Sequence, residues 1–230
     1  MKILAVDTAL GACSAAILDG DAVRSHRFEQ MDRGHAERLA PMVREAIEES
    51  GIPFAALDRL AVTVGPGTFT GQRIGYAFMR GMRLALDRPL IGVTTLAAMA
   101  KAAIARTGAS GAAVLHDAKR GEVYVTAVVN GSTALPVQIA TFDEAVRTIL
   151  GATSSCREQL AFAGTAGQRA AERCREEGRS VLITDILTPD ALWVARLALT
   201  ESVPETVPPP LYLRAPDARL PLPQISAIAI

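Results

Sequence analysis

The chain has 230 residues, half of them hydrophobic and 21% charged, enough for a sizeable buried core and unlike a disordered or fibrous composition. Basic and acidic residues balance at 24 each, so a surface that grips a nucleic-acid backbone unaided is not expected, and any such contact should run through a partner. Three cysteines without C-x-x-C spacing indicate neither a disulfide framework nor a zinc site. The apolar start is too short for a signal-peptide core, and no apolar run approaches the roughly 18 residues of a membrane span, so the cytoplasm is the expected location.

Ile3–Val6 is a short apolar strand ending at Asp7-Thr8, and Cys13–Leu18 is a second. Asp19-Gly20 is a hairpin signal leading to a third strand over Ala22–Phe28. The period then changes. Leu39, Met42, Val43, Ala46 and Ile47 fall at i, i+3, i+4, i+7 and i+8, one apolar face of a helix over 36–49 that Gly51 and Pro53 stop. Pro41 inside it removes a donor, which predicts a kink or a late start. Leu60–Val64 reads as a buried strand entering the glycine-rich run Gly65-Pro66-Gly67-Thr68-Phe69-Thr70-Gly71, and a long helix follows to about Leu86. Pro89–Val93 is a strand and Leu96–Ala105 a helix.

A similar but eroded order restarts near Ala112. Ala113–His116 leads to Asp117, and Glu122–Val129 is a strand closed by Asn130-Gly131. Thr141 with Glu144 is a capping box for a helix to Leu150. A strand at Gln159–Ala163, a helix over 165–177 and a strand at Val181–Thr184 follow, and Thr188-Pro189 is expected to open the last helix, which runs through Leu199. The pattern predicts an α/β architecture of two halves, 1–108 and 109–214, with a tail over 215–230.

Candidate chemistry is sparse. The glycine run could present backbone N–H groups to phosphate through Gly65 and Gly67, but it fits neither the P-loop nor the dinucleotide fingerprint. A tight strand-to-helix turn with close backbone packing is the favoured reading. Asp7, with Thr8 beside it, and Asp117 end corresponding strands, where acids could act on a metal–phosphate across a cleft or simply hydrogen-bond their own turns. His26, His35 and His116 have no helical metal spacing, which leaves a metallopeptidase unsupported. Ala77, Gly81 and Ala85 form a smooth helical stripe, with Arg73, Arg80 and Arg83 on a neighbouring face. Such a stripe admits a second helix closely, or packs on its own sheet.

At four places the chain resembles the TsaB family: Ile3-Leu4-Ala5-Val6-Asp7-Thr8-Ala9 with Cys13-Ser14-Ala15-Ala16, His35–Pro41, Gly65–Gly75, and Asp117–Tyr124. Tyr212-Leu213-Arg214 fits as well. The resemblance covers most of the chain and is weak over 131–205. It implies the actin-like, sugar-kinase-type (ASKHA) fold with two βββαβα-type halves. It also implies a non-catalytic subunit that pairs with its catalytic relative TsaD through the first two helices, helps recruit the ATPase TsaE, and supports transfer of a threonylcarbamoyl group to the adenosine beside the anticodon of tRNA. Where TsaD carries a metal-binding His-x-x-x-His, the matching positions here are Thr95 and Met99, neither a credible substitute for imidazole.

On that resemblance the expected partner surface comprises His35, Leu39, Met42, Val43, Arg73, Ala77, Arg80, Gly81 and Ala85. Asp7, Thr8, Gly65 and Gly67 are the candidate nucleotide contacts. No metal and no tightly bound cofactor are expected, with ATP or ADP engaged at most at the partner interface. tRNA would be met through the complex, and a homodimer of the isolated chain stays open. The rival expectation is an active nucleotide-dependent ATPase or kinase of the same fold.

Overall fold

The structure, a computed structural model, describes residues 1–156 and 158–214, so the expected tail over 215–230 lies outside the described residues. Three antiparallel strands, β1 (Lys2–Asp7), β2 (Ala12–Asp19) and β3 (Ala22–Gln30), precede helix α1 (His35–Ser50). Strand β4 (Arg59–Gly65), helix α2 (Phe69–Leu86), strand β5 (Leu90–Thr94) and helix α3 (Thr95–Thr107) complete the first half. The sheet order is β3-β2-β1-β4-β5, with β4 and β5 parallel to β1. The second half repeats this with β6 (Gly111–Lys119), β7 (Glu122–Val129), β8 (Ser132–Thr141), α4 (Phe142–Ala152), β9 (Leu160–Ala163), α5 (Gly167–Glu176), β10 (Val181–Ile183) and α6 (Ala191–Thr200). Its sheet order, β10-β9-β6-β7-β8, is the same topology. The expected erosion is therefore confined to length: every strand has its counterpart, although β9 and β10 have only four and three residues.

Period-2 alternation gives each sheet two apolar faces. Leu4 and Val6 of β1 face α1 and α2, whereas Ile3 and Ala5 face α6. In the second sheet, Ala113 and Leu115 face α4 and α5, and Ala112 and Val114 face α3. The last helix of each half thus packs against the other half's sheet, α6 on β1, β2, β4 and β5, and α3 on β6, β7 and β9. The result is five layers, with α3 and α6 in contact in the middle.

Three local expectations change. Helix α1 starts at His35, after Gly34 in a left-handed conformation, so Pro41 does not delay it. Helix α6 begins at Ala191 rather than at Thr188-Pro189, because the Asp190 carboxylate accepts from Leu192 N at 2.9 Å and is the cap. Strand β8 carries no sequence signal, since Pro136 interrupts it. Proline is tolerated there because β8 is an edge strand whose register breaks opposite Val125–Ala127.

Candidate functional site

The first strand delivers Asp7, Thr8 and Ala9 to the point where α2 begins, and the glycine run closes over them. Thr8 Oγ1 donates to Gly71 O at 2.7 Å and accepts from Gly75 N at 2.9 Å. Thr68 N donates to Ala9 O at 2.8 Å, while the Thr68 hydroxyl caps α2 by accepting from Gly71 N at 3.1 Å. A Cβ at Gly67 or Gly71 would collide with the carbonyl oxygens of Ala9 and Thr8, and one at Gly75 would sit 2.7 Å from Thr8 Oγ1. The glycines therefore serve close backbone packing. The amides of Thr68, Gly71 and Gly75 are engaged in this packing.

Asp7 is completely buried. Its Oδ1 accepts from Thr63 Oγ1 at 2.5 Å and from Ala9 N at 3.2 Å, and its Oδ2 has no partner. Burial, against the Thr63 and Ala9 hydrogen bonds, pushes its pKa up to about 7. Asp117 is exposed and binds its own hairpin, accepting from Lys119 N at 2.8 Å and Lys119 Nζ at 3.1 Å, and these bonds hold its carboxyl below the usual range. The two strand-end acids therefore make no pair across a cleft.

A cleft of about 750 Å³ lies between the halves, lined by the start of α1 (Gly34–Glu37), residues Gly67–Gly71 apart from Phe69, and Asp117, Lys119, Tyr124 and Thr165 of the second half. Gly67 is on its wall, whereas Asp7, Thr8 and Gly65 are not. His35 is buried at the head of α1, and its Nε2 lies 3.0 Å from Leu10 O, so that nitrogen carries the proton. His116 also lines the cleft, and burial pushes its pKa down to about 4, leaving it neutral.

The residues expected to meet a partner divide sharply. Leu39, Met42 and Val43 are core residues packed against the first sheet, with Met42 Sδ 3.8 Å from Cys13 Sγ. This corrects the expectation that they supply docking area, because the sheet already consumes the apolar face of α1. On α2 the opposite holds. Arg73, Ala77, Arg80, Gly81 and Ala85 are all exposed, and an added Cβ at Gly81 would meet nothing within 4 Å. Leu84 beside them is 76% exposed.

Comparison with known proteins places this arrangement. A family model, TsaD: tRNA N6-adenosine threonylcarbamoyltransferase, matches residues 28–184. The tRNA threonylcarbamoyladenosine biosynthesis protein TsaB of Haemophilus influenzae is 30% identical over 93% of this chain and 94% of its own length. The chain belongs to the TsaB family. The Escherichia coli TsaB match is closer, 43% identical, but spans 54% of this chain and 53% of that protein. Among solved structures, an uncharacterized Pseudomonas aeruginosa protein with similarity to peptidase YEAZ superposes with a TM-score of 0.75 at 30% identity, over 93% of this chain and 99% of that one. A ROK family protein from Streptococcus pneumoniae, at 10% identity and a TM-score of 0.52, shares the fold alone. The protein has the actin-like, sugar-kinase-type fold.

Within this TsaB-family fold Thr95 and Met99 are fully buried, and Met99 packs in the cluster around α3. Among the described residues no group of three or more His, Cys, Asp and Glu is placed to share a metal ion. No helix among them is long and apolar enough to cross a membrane.

One element escaped the sequence reading. The segment 207–214 runs as a strap over the first sheet and onto the second half. Leu211 N donates to Val64 O at 2.7 Å, and Arg73 Nε donates to the Tyr212 hydroxyl at 3.1 Å. Arg214 then donates to Ala118 O at 3.2 Å and pairs with Glu122. Gly65 and Gly92 make room for it, since a Cβ at Gly65 would press on Leu211 O and one at Gly92 would come within 2.6 Å of Pro208. The segment lacks any period, so beyond the Tyr212-Leu213-Arg214 resemblance its path over the sheet is marked only by those two glycines.

Proposed function

We propose that the protein is the scaffold subunit of a tRNA threonylcarbamoyladenosine-forming complex, docking a TsaD-family catalytic subunit and helping recruit a TsaE-type ATPase. The observation that carries this reading is the face of α2, where Ala77, Gly81 and Ala85 are exposed and no neighbour lies near Gly81. A stripe of small residues lets a second helix approach to an axial distance of about 8–10 Å. Membership of the TsaB family, whose Haemophilus influenzae and Escherichia coli members are tRNA threonylcarbamoyladenosine biosynthesis proteins, supports the pathway. Burial of Thr95 and Met99, where a catalytic relative would need metal ligands, supports assigning the transfer chemistry to the partner. tRNA is then met through the complex.

The test is Gly81→Leu. Its side chain enters open space in the free chain but overfills a tight helix contact, which costs about 1–3 kcal/mol. At about 1.4 kcal/mol per decade, affinity for the purified TsaD-family protein should fall roughly ten- to hundredfold with the melting temperature unchanged. Undiminished affinity would remove α2 from the interface and the reading with it.

The cleft of about 750 Å³ keeps one rival reading in play, a nucleotide-dependent enzyme. The amides of Thr68 and Gly71, already engaged within the chain, count against it. Calorimetric titration of the isolated protein with ATP should show no saturable heat; binding with a stoichiometry near one would favour the rival.

A further inference from the structure

A second feature of α2 says what chemistry its partner must bring. The helix carries Arg73, Arg80 and Arg83 and no acidic residue. Beside its exposed face the strap forms the second wall of a groove of about 540 Å³, lined by Arg73, Tyr76, Ala77, Arg80, Val207, Pro209, Pro210 and Tyr212, none of them acidic. The guanidinium of Arg73 lies 3.5 Å from the ring centroid of Phe69, and its Nε is held by the Tyr212 hydroxyl. Arg80 lies 5.8 Å from the ring centroid of Tyr76. Among the described residues neither arginine has an acidic partner, whereas Arg27, Arg38, Arg44, Arg106, Arg173 and Arg214 each do.

An arginine stacked on an aromatic ring with its Nε committed, as Arg73 is, has lost much of its rotamer freedom before a ligand arrives. It is prepared to receive a planar carboxylate in two parallel hydrogen bonds. We infer that the docking face is a composite of α2 and the strap, and that it receives an acidic helix of the partner whose carboxylates pair with Arg73 and Arg80. The inference rests on the α2 docking reading above and adds two things: the strap as part of the surface, and the sign of the partner's charge. A second copy of this chain fits less well, because two α2 faces meeting would bring like charges together.

The experiment measures affinity of the full chain for the purified TsaD-family protein at low and high salt. The double variant Arg73→Glu/Arg80→Glu should weaken binding at least hundredfold, and the wild-type affinity should fall as salt rises, with the melting temperature within a few degrees of wild type. Tyr212→Phe, which keeps the ring and frees Arg73 Nε, should cost less than tenfold, and Tyr212→Ala more. If the double variant binds as well as wild type while Gly81→Leu does not bind, the docking reading stands and the acidic partner is wrong. If neither variant changes affinity, both fail. If charge reversal instead abolishes self-association and spares the TsaD-family protein, the occupant is a second copy and the acidic-helix assignment is overturned.

Discussion

A Cβ added at Gly71 would run into the carbonyl oxygen of Thr8, whereas one added at Gly81 would meet nothing within 4 Å, although both glycines lie in the same helix. Gly71→Ala should therefore destabilise the fold by about 1–3 kcal/mol through overpacking. Gly81→Ala should stabilise it by about 0.5–1 kcal/mol, because alanine loses less backbone entropy in a helix. Opposite shifts of the urea midpoint would check both; shifts of the same sign would mean that the turn at Thr8 relaxes freely. Asp7 gives a second test. Its carboxyl, near 3.8 when unfolded, is raised to about 7 in the fold, chiefly by burial. The folded state thus holds the proton more tightly. Its contribution is fully present below 3.8 and is lost as pH rises through about 7, at up to about 1.4 kcal/mol per pH unit. Asp7→Asn keeps an acceptor for Thr63 and cannot ionise. Its stability relative to wild type should rise between pH 4 and 7 and level off above. Taking the difference cancels His116, whose depressed pKa acts in the opposite direction, destabilising the fold as pH falls. A flat difference would mean that Asp7 ionises in the fold without cost.

Helix α1 shows what a hydrophobic period does and does not determine. The spacing of Leu39, Met42 and Val43 is sufficient to place the helix and its apolar stripe, and the stripe is where the period puts it. The period is silent on which surface covers that stripe, and here it is Cys13, Ala15 and the rest of the first sheet. The α2 stripe has the reverse character. Small residues leave both readings open in the sequence, and only the neighbours of Gly81 decide between them. Strands of the inner sheets were readable because burial on both faces demands continuous apolar runs, as in Leu4–Val6 and Leu60–Val64. The edge strand β8 and the strap escaped because neither is defined by burial. One is held by ladder bonds along an edge, the other by isolated hydrogen bonds, with Leu211 and Arg214 donating and Tyr212 accepting. The glycine run is legible in the sequence, but its purpose depends on Thr8 and Ala9, about 60 residues away along the chain. Local sequence cannot report such a contact.

The five-layer arrangement bears on whether 1–108 is an independent unit. One face of the first sheet presents Ile3, Ala5, Ala16, Leu18, Ala61, Ile91 and Val93 to Ala191, Val194, Ala195 and Ala198 of α6, which the second half supplies. The Arg59 guanidinium strengthens that closure by donating to Ala198 O at 3.0 Å and Glu201 O at 2.8 Å. Without α6, a contiguous apolar face would meet water, at about 25 cal/mol for each Å² no longer buried. Large exposed apolar faces also drive association. A fragment of residues 1–108 should therefore keep helical circular dichroism but lack a cooperative melt, bind a hydrophobic dye and self-associate. A second fragment extended to Arg214 but carrying Val194→Asp and Ala195→Asp should behave similarly, since it retains the chain yet cannot seat α6. A monomeric 1–108 fragment with a sharp melt would show that the sheet finds other cover, with α3 as the nearest candidate because it already touches β4 and β5. Restoration of the cooperative melt when a peptide spanning α6 is added in trans would identify the missing layer as the cause.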